Sequence, residues 1–319
     1  MSERTLAARN AVCVLKRLLI ATKGIYGGRS QPPESWHSIG NKALDSPWQH
    51  LHKNTSAESW RLRSVWWLFY FAAIILAWIW LFLTTKEMGL DLLGRRNASA
   101  EMMASMDLSM MAHMPMTNYM PLFGMWAIMM AAMMLPVLVP TLITYEQLIY
   151  TANGSRRGWL GVLCGYIFVW MNFAMMIAGL QLLLLSVGII DFFGVATSPF
   201  TTAALLIVVG SHQFTRVKEI CHGICIAPLL YFLANWKTGF LGGLRMGLAL
   251  GVFCVLCCWG IMLLGFVGGV MNLLWMGVAT VFMVLEKLPQ VGGLVSKPMG
   301  IALILFGAVI FFQPEIIGG

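Results

Sequence analysis

The chain is 319 residues long, 59% hydrophobic and only 11% charged, with a formal charge of +8 at pH 7. A soluble globular domain carries about 25% charged residues, so this composition excludes a soluble enzyme and a disordered chain and predicts a polytopic membrane protein. The basic excess is concentrated in one N-terminal segment, which gives a nucleic-acid partner no support; seven Cys, three of them within residues 254–258, point to thiol or metal chemistry, not to a disulfide framework.

Residues 1–64 form a basic tail, read as cytoplasmic, that holds 10 of the 21 Lys and Arg. Within it, Ala11–Ile20 is interrupted by Lys16 and Arg17 and lacks a small-residue cleavage site. That pattern argues against a signal peptide and for a surface amphipathic helix. The transmembrane domain is expected over residues 65–319. A helix needs about 20 apolar residues to cross a bilayer, and seven stretches meet that measure: 65–83, 121–143, 160–185, 196–214, 241–264, 268–286 and 298–313. The pairs Gly242–Gly243 and Gly268–Gly269 allow neighbouring helices to approach closely. The run Ile224–Ala234 contains Pro228 and is too brief to cross, so it reads as an interfacial or re-entrant piece.

Basic residues in the loops set the orientation. With the tail inside, eighteen Lys and Arg fall on the inner side and three, Lys86, Arg95 and Arg96, on the outer side. The expected fold is therefore an all-α polytopic transmembrane helix bundle of about seven spans in a bacterial inner membrane. Its N-terminus is inside and its C-terminus outside, with the lipid bilayer as its first partner.

The outer loop 84–120 is rich in methionine, and fourteen of the 24 Met fall between Met88 and Met134. A solvated loop gains nothing from Met by packing, whereas its thioether is a soft, uncharged ligand suited to Cu(I). Met102, Met106 and Met110 recur every four residues, and His113, Met114 and Met116 follow directly. In the second span Met125, Met129 and Met133 share one helical face, flanked by Met130 and Met134. The third span holds Met175 and Met176, and the sixth opens with Met271 and Met276. In the fifth, Cys254, Cys258 and Met262 share a face, with Cys257 beside them. Under this topology most of these sulfurs lie in the middle or outer half of the membrane. A separate inner site is expected at Cys221, His222 and Cys225, whose thiols sit at i and i+4.

No phosphate-cradling glycine loop is present, so an ATP-driven pump has no support. Glu146, Glu286 and Lys287 are expected at the ends of spans, which leaves no Asp, Glu or Lys deep in the membrane. Neither paired carboxylates nor a Ser–His–Asp set can be assembled.

Two groups of residues carry a family resemblance. One is Met125-Trp-Ala-Ile-Met-Met-Ala-Ala-Met-Met-Leu-Pro136 followed by Pro140. The other runs from Cys221-His-Gly-Ile-Cys225 and Pro228 through Leu244-Arg-Met-Gly247 and Cys254-Val-Leu-Cys-Cys-Trp259 to Met262, Gly269-Val-Met-Asn-Leu-Leu-Trp-Met276 and Glu286-Lys287. Over roughly residues 65–290 the chain resembles a bacterial family described as predicted metal-binding integral membrane proteins, a domain of unknown function. One member is proposed to be a copper chaperone that loads a bacterial tyrosinase, so the resemblance implies copper handling on the outer side. Leu250 stands where relatives often carry a His before the cysteine pair.

The expected function is binding of Cu(I) and its delivery to an extracytoplasmic or membrane-bound cuproenzyme, without enzymatic activity. Two rival readings are a structural or assembly subunit of a larger membrane complex and a thiol oxidoreductase using Cys254 and Cys258.

Overall fold

The computed structural model describes residues 57–92, 94–95, 97, 118–152, 154–288 and 291–316. The helix expected at 11–20 and the Met102, Met106, Met110, His113, Met114 and Met116 set lie outside the described residues. The chain divides into two units, residues 1–67 and 68–319. The described part of the first is the start of one helix; the second holds the remaining helices and the cysteines of residues 221–258.

Among the described residues the chain is all-α. Its elements are α1 (Ala57–Glu87), α2 (Tyr119–Thr151), α3 (Arg156–Ser186), α4 (Pro199–His212), α5 (Arg216–Ile226), α6 (Pro228–Asn235), α7 (Gly239–Leu263), α8 (Gly265–Gly268), α9 (Leu273–Glu286) and α10 (Gly292–Phe312). Five helical segments are long and apolar enough to cross a membrane: Ser64–Glu87, Tyr119–Ile149, Arg156–Ser186, Gly239–Gly268 and Gly292–Phe312. The bent pair α5–α6 makes a sixth if it is one span.

Two of the seven expected spans are shorter than the sequence suggested. The stretch 196–214 yields only α4, and 268–286 only α9, each of 14 residues. At 1.5 Å per residue such a helix is roughly 21 Å long, short of a hydrocarbon core of about 30 Å. Ser198 caps α4 by accepting from the Phe200 amide, and Asn272 caps α9 by accepting from the Trp275 amide. Polar caps therefore consume residues that an apolar count assigns to the span. The region around Pro228 is a break: α5 and α6 meet at 83°. Ala227 precedes the proline with φ −116° and ψ 62°, outside helical geometry, as the ring of a following proline demands.

Two close helix pairs organise the core. α3 lies against α7 with Gly161 over the Phe240 carbonyl and Gly165 2.7 Å, by an added Cβ, from the Leu248 amide. In return Gly243 meets the backbone of Gly158, and Gly247 that of Val162. α4 and α10 approach in the same way, Gly210 against the Gly300 carbonyl and Gly307 against that of Ala203. Small residues let backbones touch where lipid gives no hydrophobic drive for helix association.

Proline shapes α2. Pro136 and Pro140 lie inside it, and a proline leaves the carbonyl four residues earlier without its helical donor. The carbonyl freed by Pro136 is that of Ala132, and the Trp78 indole N–H from α1 donates to it at 3.1 Å. The Tyr70 hydroxyl donates to the Leu135 carbonyl at 2.6 Å. Thus α1 is fastened to α2 by donors aimed at the site of the proline break.

A pair of matching turns follows α1 and α3. In each, an Asp is followed three residues later by a glycine at positive φ, Gly94 at 72° and Gly194 at 73°, whose amide donates to the Asp carbonyl. The Asp amide in turn donates to the carbonyl of the residue after that glycine, Asp91 to Arg95 and Asp191 to Val195. After the second turn the chain enters α4 at once; after the first, the Met-rich residues precede α2.

Candidate metal centre

The centre is built on α7 and completed by the short elements around it. Cys254, Cys257 and Cys258 are buried on α7, and α5 packs beside them. Cys225, at the end of α5, joins them: the sulfurs of Cys225, Cys254 and Cys257 all lie within 4.8 Å of one another. The sequence placed Cys225 in a separate inner site with Cys221 and His222. The structure instead brings it to the α7 cysteines, because α5 stops at Pro228 with its last turn against α7. Cys221 is buried nearby, and the His222 ring bonds the Glu286 carbonyl at 2.6 Å.

Cys257 is the hub. Its sulfur lies 3.2 Å from that of Cys258, and its S–H is 3.2 Å from the Cys254 carbonyl. The Lys287 ammonium donates to it at 3.0 Å. The Tyr166 hydroxyl lies 3.2 Å from the Cys254 sulfur and 3.4 Å from the Met134 carbonyl, linking the thiols to α2.

Charge surrounds the thiols where the sequence predicted none. Lys218 and Glu286 form an ion pair at 2.8 Å, with side chains 2% and 0% exposed. The Lys218 ammonium also donates to the Cys257 carbonyl at 2.9 Å. Lys287 is 5% exposed. Glu286 and Lys287 do lie at a helix end, as expected, and that end is buried in the protein beside Cys257. Cys257 is the nineteenth residue of the Gly239–Gly268 segment, roughly 27 Å along a helix axis of about 45 Å. The ends of α5 and α9 are therefore level with the interior of the long span.

Methionines divide by face. Met125, Met129, Met130, Met133 and Met134 of α2, Met262 of α7, Met271, and Met276 of α9 are all buried. Met246 and Met283, which sequence reasoning did not single out, are buried as well. Met175 and Met176 are 48% and 70% exposed on the outer surface of α3, so α3 does not add those sulfurs to the interior. The methionine stripe of α2 shares its helix with Trp126, whose indole donates to the Gln181 side chain at 2.6 Å.

The donor set is soft. Thiolate and thioether ligands suit Cu(I), Zn(II) and iron–sulfur chemistry, and the absence of a carboxylate or imidazole among the three clustered ligands removes the hard-ion candidates.

A family model described as PpoB2, copper chaperone, matches residues 123–310, more than half of the chain. That stretch contains the whole cysteine centre and the α2 methionines; it leaves out α1 and the Met-rich loop, which the resemblance over residues 65–290 includes. No curated protein and no solved structure matches the chain.

Proposed function

The chain belongs to the PpoB2 copper-chaperone family, and from that premise we propose that it binds Cu(I) at Cys225, Cys254 and Cys257 and passes it to an extracytoplasmic or membrane-bound cuproenzyme. The carrying observation is the meeting of three sulfurs from two helices within 4.8 Å, those of Cys254 and Cys257 buried and that of Cys225 on a half-buried residue. Copper itself is supported by the family and by the softness of the donors.

In this reading Cu(I) is cargo. Met102, Met106, Met110, His113, Met114 and Met116 capture it at the outer face of the bacterial inner membrane, an orientation supported by the inward bias of Lys and Arg. The buried thioethers of α2, Met271 and Met276 give it neutral donors on the way to the thiols. Neutral ligands hold a soft cation without proton exchange, and thiolates hold it more tightly once their protons leave. Tyr166 ties Cys254 to the α2 backbone, so the last methionine turn and the first cysteine keep a fixed spacing.

The test is Cu(I) competition against bicinchoninate, under reducing conditions, with the detergent-purified full chain. One tightly held Cu(I) per chain, lost on replacing Cys225, Cys254 and Cys257 with Ser, supports the reading; equal binding by that variant overturns it. The thiol oxidoreductase read from the sequence used Cys254 and Cys258; the 3.2 Å approach of the Cys257 and Cys258 sulfurs favours that rival only with Cys257 in place of Cys254. That rival requires a dithiol that cycles with a redox partner, and differential alkylation detects it.

A further inference from the structure

Asn172 holds a side-chain amide at the middle of a span. It is the seventeenth of the 31 residues of α3, and its side chain is exposed. Its Nδ2 donates to the Phe168 carbonyl, one turn earlier, at 2.8 Å, which occupies one N–H. Among the described residues nothing bonds the second N–H or the Oδ1 oxygen. Among the described residues of the five long spans it is also the one Asn or Gln exposed near a midpoint: Gln181 is buried against Trp126, and Gln147 lies at the end of α2. A polar group in hydrocarbon is costly without a partner, and the polar residues of spans almost always face protein. Phe168, Asn172, Met176, Gly179 and Leu183 recur at intervals of three or four residues, so they share one face of α3. α2 and α7 pack on its other sides. At Gly179 an added Cβ would meet a single atom within 4 Å, Cε2 of Tyr119 at 3.9 Å, so the face carries a notch two turns beyond Asn172.

We infer that this face of α3 is the contact between two copies of the chain, with the two Asn172 amides paired across a two-fold axis. An amide is self-complementary: the free N–H of each copy donates to Oδ1 of the other, closing two hydrogen bonds with no net charge. Symmetry favours the match at this position. Two copies inserted in the same orientation are related by an axis along the membrane normal, so their α3 helices run parallel and a residue at the crossing point meets its own counterpart. Gly179 lets the backbones approach, and close packing with interhelical hydrogen bonds is what joins helices in lipid. A lipid tail offers the amide neither donor nor acceptor, so the bilayer alone leaves it unsatisfied. The contact needs no bound metal, and it lies on the side of α3 away from α7.

The test is photobleaching step counting of the full chain, fused to a fluorescent protein, in phosphatidylethanolamine–phosphatidylglycerol bilayers over a range of protein-to-lipid ratios. The wild-type chain is expected to pass from one copy to two as its density rises. Asn172→Leu should need about 10-fold higher density for the same dimer fraction, through loss of two interhelical hydrogen bonds. Asn172→Gln, which keeps an amide, should stay near the wild type. Gly179→Leu, which fills the notch, should weaken association independently, and it carries the comparison if Asn172→Leu does not fold. Leu305→Ala, on an exposed position of α10, should change nothing. Dimers undiminished by Asn172→Leu and Gly179→Leu, equal weakening by Leu305→Ala, or a loss in Asn172→Gln as deep as in Asn172→Leu would overturn the inference. A wild-type chain that stays monomeric at every density overturns it as well and leaves the face to a different polypeptide. Assembly beyond two copies overturns the two-fold pairing.

Discussion

Lys218 and Glu286, 68 residues apart in sequence, form an ion pair with Nζ 2.8 Å from Oε1 and almost no exposure of either side chain. The pair joins the start of α5 to the end of α9 beside Cys257. Removing one partner leaves a buried charge without compensation, which costs about 3–5 kcal/mol, whereas replacing both with apolar residues is often near neutral. Lys218→Met and Glu286→Met are each expected to lower stability by that order, and the double Lys218→Met/Glu286→Met variant by much less than the sum. Denaturant unfolding in detergent, arranged as a double-mutant cycle, checks it.

Trp78 donates to the carbonyl that Pro136 frees at Ala132. Trp78→Phe leaves that acceptor unpaired and is expected to cost about 1–3 kcal/mol. In a Pro136→Ala background residue 136 regains its N–H, the helical bond to Ala132 can re-form, and the hydrogen-bond part of the cost of Trp78→Phe should vanish. Equal costs in both backgrounds would contradict the assignment.

At Gly247 an added Cβ would meet the backbone of Val162 across the α3–α7 contact, while around Gly124 in α2 there is open space. Gly247→Ala is expected to destabilise by about 1–3 kcal/mol through overpacking. Gly124→Ala, which only restores helix propensity, is expected to stabilise by about 0.5–1 kcal/mol. Thermal unfolding of the two variants side by side tests the contrast.

The fold class was readable because 59% apolar residues arranged in long runs leave few alternatives. Much of the cysteine centre was readable too: Cys254 and Cys258 share a helical face by spacing alone, with Cys257 beside them. What apolar counting missed was length consumed by caps. Ser198 and Asn272 start α4 and α9 late, so two expected spans become 14-residue helices. The burial of Lys218, Glu286 and Lys287 and the meeting of Cys225 with the α7 cysteines come from helix contacts between segments far apart in the sequence, which spacing along one helix does not show. The exposure of Met175 and Met176 was not legible either, since adjacent methionines on a helix announce no face. The Asp-x-x-Gly turns at Asp91–Gly94 and Asp191–Gly194 were present in the sequence as a short repeat, visible once their hydrogen bonds are compared.

The α2 methionines are expected to govern the rate at which Cu(I) reaches the thiols. Met129→Leu/Met133→Leu keeps volume and removes sulfur, so stability should change by less than about 1.5 kcal/mol. Transfer of Cu(I) from a donor chelate, followed by stopped-flow absorbance, should slow several-fold. Met175→Leu/Met176→Leu, on the exposed face of α3, should leave both stability and transfer unchanged.

X-ray absorption at the copper edge of the Cu(I)-loaded full chain examines the central claim directly. A first shell of sulfur alone is expected, with fewer sulfurs and a changed Cu–S distance when Cys225, Cys254 and Cys257 become Ser and only thioethers remain. A first shell dominated by nitrogen or oxygen in the wild-type chain, or a sulfur shell identical before and after the triple substitution, would contradict it.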